Sequence, residues 1–277
     1  MLITTEELAK HLGDPDWVAF DTRHDLADPA KGRTAYAAGH IPGAYFASLD
    51  DELSGAKTGR NGRHPLPDLA AFSARMNARG VRPGAKVVIY DDTGGSYAVR
   101  LWWLLRWLGH GEVALLDGGL PLWVKEGRAM SREVPAPRKG AFVPRPRLGA
   151  TVDADFVDRF REDATLTLVD ARAADRFGGR NETLDPVAGH VPGAVNRFWK
   201  ENLAADGRFK LAAHLQGEFA QLLGGADPRQ SVHMCGSGVT ACHNLFAMQL
   251  AGLPAGRLYP GSWSEWCSDP ARAVATS

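Results

Sequence analysis

A loop near the C-terminal end of the chain has the composition of a nucleophilic cysteine site. It contains Cys-Gly-Ser-Gly-Val-Thr-Ala at 235–241 and joins the apolar run 232–234 to a helical pattern. The two glycines permit a tight turn in which successive N–H groups point inward, with the start of the following helix behind them. A cysteine beside such an anion nest is favoured as the thiolate. We therefore predict that Cys235 is a nucleophile rather than a buried structural thiol.

Two other cysteine chemistries fit this loop less well. A cysteine phosphatase needs an arginine six residues after the nucleophile to clamp the phosphate, and that position holds Ala241. Cys235, Cys242 and His243 have suitable ligand types for zinc, but their spacing matches no usual zinc pattern. No cofactor motif and no metal site are predicted.

Composition restricts the class of protein. The chain has 277 residues, of which 44% are hydrophobic and 23% charged, as in globular proteins rather than disordered or coiled-coil ones. The net charge is zero, which disfavours nucleic acid as a partner. No apolar run reaches the length of about 20 residues that a membrane helix needs, and the first residues do not resemble a signal peptide. With only three cysteines, we expect a soluble cytoplasmic protein with reduced thiols and no membrane association.

The chain contains an internal duplication. His-Ile-Pro-Gly-Ala at 40–44 recurs as His-Val-Pro-Gly-Ala at 190–194, and Phe-Asp-Thr-Arg at 20–23 recurs as Val-Asp-Ala-Arg at 169–172. Landmarks in the same order at a nearly constant offset indicate two homologous halves. The four prolines between residues 132 and 147 indicate an extended connection. We predict an N-terminal domain at 1–130, a linker at 131–150 and a C-terminal domain at 151–277.

Short apolar runs alternate with helical patterns in each half. The predicted strands include 87–90, 113–116, 167–169 and 232–234, and the predicted helices include 97–108 and 239–251. This alternation indicates an α/β fold in which each half is a parallel sheet with helices on both faces. Ligands of such folds bind at the carboxyl ends of the strands, where Cys235 lies.

These motifs resemble the tandem rhodanese family over nearly the whole chain. The loop at 235–241 is similar to that of the 3-mercaptopyruvate sulfurtransferases, whereas thiosulfate-preferring rhodaneses carry Cys-Arg-Lys-Gly-Val-Thr. Asp-Gly-Gly-Leu at 117–120 and Gly-Ser-Trp-Ser-Glu-Trp at 261–266 are also typical of the family. The resemblance implies an enzyme that takes sulfur from 3-mercaptopyruvate to form a Cys235 persulfide and passes it to cyanide, a small thiol or a thioredoxin-like dithiol. Thiosulfate as the main donor and a persulfide carrier are the alternative functions.

The resemblance also implies roles for particular residues. Backbone N–H groups would stabilise the thiolate and persulfide, and they belong to Gly236, Ser237, Gly238, Val239 and Thr240. In the family, a relay of Ser237, His64 and Asp50 would assist catalysis, and Arg176 would bind the carboxylate of the donor. The second arginine of the mercaptopyruvate enzymes is absent, because its position holds Thr183, and Arg180 is a candidate replacement.

The two halves are not equivalent. Residues 1–234 contain no cysteine, so the N-terminal half cannot carry a persulfide. We expect it to lend residues to the active site instead. His40 and His190 recur in both halves, which favours a role in the fold over a role in catalysis.

Overall fold

The computed structural model describes residues 1–276, which form two compact units. Unit 1 comprises residues 1–55, 66–147 and 205–208. Unit 2 comprises residues 56–65, 148–204 and 209–276. A ten-residue segment from the N-terminal half thus belongs to the unit that carries Cys235. The predicted domain limits at 130 and 150 stay predictions.

Unit 1 contains a parallel sheet, whose strands pair in the order β1-β5-β4-β2-β3 among the described residues. Its strands are β1 (Leu2–Ile3), β2 (Trp17–Asp21), β3 (Tyr45–Phe46), β4 (Lys86–Tyr90) and β5 (Val113–Leu116). Its helices are α1 (Thr5–Lys10), α2 (Ala30–Ala38), α3 (Leu69–Ala78), α4 (Ala98–Trp107) and α5 (Gly119–Lys125).

Unit 2 contains a second parallel sheet, in the order β7-β6-β8-β9 over the part of the chain that is described. Its strands are β6 (Thr167–Asp170), β7 (Val195–Asn196), β8 (Ser231–Met234) and β9 (Arg257–Leu258). Its helices are α6 (Ala154–Phe160), α7 (Ala174–Phe177), α8 (Ala212–Leu223), α9 (Ala241–Leu250) and α10 (Ser262–Trp266). Short 3₁₀ helices occupy Trp199–Asn202 and Pro228–Gln230.

The fold-class prediction, an α/β fold with two parallel sheets flanked by helices, is confirmed. Every residue of β5 and β8 is buried, as expected for parallel strands covered on both faces. Helix α9 begins two residues later than predicted, because Val239 and Thr240 complete the turn that follows Cys235. No helix within residues 1–276 is long and apolar enough to cross a membrane.

The duplication is visible in matching buried ion pairs. In unit 1 the Arg23 guanidinium donates to the Asp21 carboxylate at 2.7 Å, and in unit 2 Arg172 donates to Asp170 at 2.7 Å. Each guanidinium also donates to the carbonyl of the glycine before the duplicated histidine. Because each charge is paired and hydrogen-bonded, its burial at the end of a central strand is tolerated.

The duplicated histidines pack on neighbouring rings. His40 stacks on Tyr36 with a centroid distance of 3.9 Å, and His190 stacks on Phe177 at 3.8 Å. In both cases Nδ1 lies within hydrogen-bonding distance of the carbonyl oxygen of the same aromatic residue. The same environment in both units agrees with the predicted role in the fold.

Candidate active site

Cys235 directly follows β8, an inner strand of the unit 2 sheet, and its side chain is buried. Its N–H donates to the Ser262 Oγ at 3.1 Å, and its carbonyl accepts from the Trp263 N–H at 3.0 Å. The carbonyl of Gly236 accepts from the Ser264 N–H at 2.9 Å. The start of α10 therefore holds the cysteine loop at the carboxyl edge of the sheet.

The turn after Cys235 depends on Gly238. This residue has φ +73°, which favours glycine, and a Cβ there would collide with the Pro260 carbonyl oxygen. With this backbone, the Ser237 N–H donates to the Cys235 sulfur at 3.5 Å. Val239 and Thr240 complete the turn, and Thr240 immediately precedes α9. Of the predicted loop residues, Ser237 thus directs its backbone N–H at the thiol sulfur, and the contributions of the other N–H groups stay predictions.

His64 lies against Ser237 although 173 residues separate them in the chain. The His64 Nδ1 is 2.7 Å from the Ser237 Oγ, and both residues are less than 5% exposed. The Arg63 N–H donates to the Ser264 Oγ at 3.0 Å and so anchors the histidine segment beside α10. Ser237 therefore contacts the sulfur through its N–H and the imidazole through its hydroxyl.

Asp50, the predicted third member of the relay, lies in unit 1. There its carboxylate is 3.8 Å from the His24 Nε2, and His24 itself is buried. The role of Asp50 in catalysis stays a prediction.

Two guanidinium groups lie beside the loop at Gly236. A Cβ on this glycine would be 2.9 Å from the Arg63 Nη2 and 3.7 Å from both Nη atoms of Arg176. The absence of a side chain thus lets the two cations approach the backbone next to the nucleophile. Arg176 was predicted to bind the donor, whereas Arg63 was not predicted.

Acidic residues of the segment after α7 pair with these cations. The Arg176 Nη2 lies 2.8 Å from Glu182 Oε1 and 3.3 Å from Asp185 Oδ2. Asp185 also accepts from Arg63 through its other carboxylate oxygen. The Glu182 and Asp185 side chains are each only 2% exposed, so the ion pairs are shielded from water.

The electrostatics of the two carboxylates differ. Burial raises the pKa of Asp185 above its ordinary value, even though Arg63 and Arg176 oppose the shift. Burial acts in the same direction on Glu182, but hydrogen bonds from Arg176 and from the N–H groups of Leu184 and Asp185 outweigh it and lower the pKa. Glu182 is therefore the better stabilised anion of the two.

A third cation, Arg172, lies behind this cluster. Burial opposes its charge, but Asp170, Glu182 and Cys235 together raise its pKa. Its guanidinium carbon is 4.8 Å from the centre of the Trp263 ring. A buried positive charge therefore lies within electrostatic range of the Cys235 sulfur.

Comparisons with known proteins identify the family of this chain. The model of the rhodanese-like domain matches residues 4–126 and again residues 153–269. The chain belongs to the rhodanese-like family. The prediction of a tandem rhodanese-like sulfurtransferase is therefore confirmed.

Relatives within the family differ in the donor that their names state. A Pseudomonas aeruginosa protein named "Probable 3-mercaptopyruvate sulfurtransferase" is 47% identical over 277 residues, covering 99% of this chain and 98% of its own. The "Thiosulfate sulfurtransferase" of the same organism is 32% identical and covers 98% of this chain and 95% of its own. The structure of "3-mercaptopyruvate sulfurtransferase from Leishmania major" superposes with a TM-score of 0.85 at 30% identity. The superposition covers 96% of this chain and 74% of the Leishmania major chain.

Sequence reasoning missed three polar residues of this rhodanese-like site: Arg63, Glu182 and Asp185. One signal was the position of Arg63 directly before His64 in the motif Arg-His-Pro-Leu-Pro. Another was the acidic character of 182–185, where the resemblance leads one to expect an arginine. Neither signal shows by itself that these side chains meet at Gly236.

Proposed function

We propose that this chain transfers a sulfur atom from 3-mercaptopyruvate to a thiol or to cyanide through a persulfide on Cys235. The observation that carries the proposal is the double contact of Ser237, whose N–H donates to the Cys235 sulfur and whose hydroxyl lies 2.7 Å from His64. A nucleophile and a proton source are thus adjacent. Guanidinium groups beside the loop suit the carboxylate of an α-keto acid.

In the first half-reaction, the Cys235 thiolate attacks the thiol sulfur of the donor. An S–S bond forms and the C–S bond breaks, leaving its electron pair on carbon as the enolate of pyruvate. The enolate takes one proton, which we assign to the Ser237 hydroxyl, with His64 replenishing it. The products are pyruvate and a Cys235 persulfide that retains the thiol proton.

In the second half-reaction, an acceptor nucleophile attacks the outer sulfur of the persulfide. The S–S bond breaks, its electron pair returns to Cys235 as thiolate, and the persulfide proton is released. Cyanide becomes thiocyanate, and a thiolate becomes a new persulfide. A thioredoxin-like dithiol would complete the step by closing its own disulfide and releasing hydrogen sulfide.

Loop composition supports mercaptopyruvate over thiosulfate as the main donor. Thiosulfate-preferring rhodaneses place cationic side chains where this chain has Gly236 and Ser237. Arg63 and Arg176 are instead already paired with carboxylates, which reduces the positive charge offered to a dianion.

The proposed compartment is the cytoplasm, because only three cysteines are present and we expect them to be reduced. Cell fractionation with an antibody against the chain tests this.

The proposal is tested by measuring kcat/KM for both donors with cyanide and with a dithiol. Cys235→Ser should abolish turnover and the 32 Da mass increase of a persulfide at this residue. Cys267→Ala is the thiol control, because burial raises the pKa of that thiol to about 11 and keeps it protonated. Preference for thiosulfate would overturn the donor, a stable persulfide without turnover would indicate a carrier, and full activity of Cys235→Ser would refute the mechanism.

A further inference from the structure

Asp185 contacts both site arginines, Arg63 and Arg176, in the absence of substrate. Its two carboxylate oxygens accept from different guanidinium groups, one from Arg63 and the other from Arg176 at 3.3 Å. Both guanidinium groups also border Gly236, next to the nucleophile. A carboxylate thus already bridges the pair of cations best placed to bind the carboxylate of a donor.

The neighbouring Glu182 is held differently. It binds Arg176 through both carboxylate oxygens and also accepts from the N–H groups of Leu184 and Asp185 at 2.9 and 3.1 Å. These backbone bonds fix Glu182 in its own turn, as a permanent partner that orients Arg176. The Asp185 carboxylate is bound by side chains, which an incoming anion can take over.

We propose that Asp185 is an internal competitor, whose carboxylate occupies the subsite formed by Arg63 and Arg176 until the carboxylate of the donor displaces it. Arg63 thereby takes the place of the second arginine that is missing at Thr183. This inference rests on the proposed function and deepens it.

Charge balance explains why such a subsite suits a monoanionic donor. In the free enzyme the two guanidinium groups face two carboxylates, those of Glu182 and Asp185, so the local charges cancel. A monoanionic α-keto acid replaces one carboxylate by another and preserves this balance. The cost of burying the Asp185 charge, seen in its raised pKa, makes displacement less unfavourable.

The geometry of the segment that carries Asp185 is compatible with displacement. Residues 178–194 contain neither helix nor strand, and Asn181 within them has φ +52°. A side chain in such a connection can change rotamer without breaking a helix or a sheet. The expected movement is therefore a swing of one side chain.

The test measures affinity for pyruvate by calorimetry in the Cys235→Ser background, where no sulfur is transferred. Asp185→Asn removes the competing charge and should tighten pyruvate binding about tenfold, since hydrogen bonds to charged groups typically have this magnitude. Arg63→Gln should weaken binding about tenfold, and Arg63→Lys should recover part of the loss. Asp158→Asn is the control, because this carboxylate is 53% exposed on α6 and should leave the affinity unchanged.

Steady-state kinetics with intact Cys235 give a second readout. Asp185→Asn should lower KM for 3-mercaptopyruvate about tenfold, because the donor then binds without displacing a carboxylate. Unchanged or weaker pyruvate binding in Asp185→Asn would overturn the proposal, because Asp185 would then position the arginines rather than compete. Unchanged binding in Arg63→Gln would also overturn it, even if the aspartate variant failed to fold.

The outcomes also separate this inference from the proposed function. If pyruvate affinity responds as expected but the wild type does not turn over 3-mercaptopyruvate, the subsite stands and the donor assignment fails. If 3-mercaptopyruvate is turned over but neither substitution changes affinity, the function stands and the competitor role fails.

Discussion

Replacing His64 by asparagine should affect the two sulfur donors very differently. The His64 Nδ1 is 2.7 Å from the Ser237 Oγ, and both side chains are buried, so water is a poor substitute for the imidazole. Breaking the C–S bond of 3-mercaptopyruvate produces an enolate that needs a proton. Sulfite, the leaving group from thiosulfate, needs none. The loss should therefore depend on the donor rather than on the enzyme alone.

The expected magnitude comes from the proton transfer. General acid–base catalysis by a positioned side chain contributes about 10²- to 10⁴-fold, or about 2.7 to 5.4 kcal/mol of barrier. We expect His64→Asn to lower kcat with 3-mercaptopyruvate at least about 100-fold. With thiosulfate, the variant loses only the support of one hydrogen bond to Ser237, about 1 kcal/mol or roughly fivefold.

The assay follows pyruvate formation with one donor and thiocyanate formation with the other, at the same cyanide concentration. Ser237→Ala should show the same donor-dependent loss. The loss of kcat in the double variant should be about the same as in either single variant, because the two residues act as one unit. His214→Asn is the matched control, since His214 is exposed on α8.

Equal losses with both donors would refute the proton-supply role and indicate that His64 only supports the loop. Additive losses in the double variant would likewise contradict a shared role. A melting temperature close to that of the wild type is required of each variant, so that a folding defect is not read as a catalytic one.

Two further predictions concern stability. Gly238→Ala should lower the free energy of unfolding in urea by at least about 1 kcal/mol more than Gly252→Ala does. Both glycines have left-handed backbones, but only a Cβ at 238 would collide with the Pro260 carbonyl oxygen. Equal losses in the two variants would contradict the collision. Burial lowers the pKa of His233 from 6.5 to about 3, so between these pH values the unfolded chain binds a proton at this residue and the folded chain does not. The free energy of unfolding should therefore fall as the pH drops from about 6.5 toward 3. His233→Gln should reduce that slope by about 1.4 kcal/mol per pH unit, and the same slope in both proteins would show that the histidine titrates normally.

Much of the local structure was predictable because local patterns encode it. The apolar run predicted as strand 113–116 is strand β5 with the same limits, and the predicted helix 97–108 is α4 at Ala98–Trp107. The predicted start of α9 is two residues early, because Val239 is apolar and so extends the helical pattern, although it belongs to the turn after Cys235. The hydrophobic pattern depends only on residue type, whereas this turn depends on the close approach of Gly238 to the Pro260 carbonyl.

The sequence by itself determined the duplication, the parallel α/β class, the family and the position of Cys235 after a buried strand. Tertiary structure decided what surrounds the sulfur. It places the segment 56–65 in the unit that contains the cysteine, so that His64 meets Ser237 and Arg63 meets Asp185. No spacing rule relates residues more than a hundred positions apart, because their contact is fixed by how the intervening elements pack rather than by the local geometry of the chain.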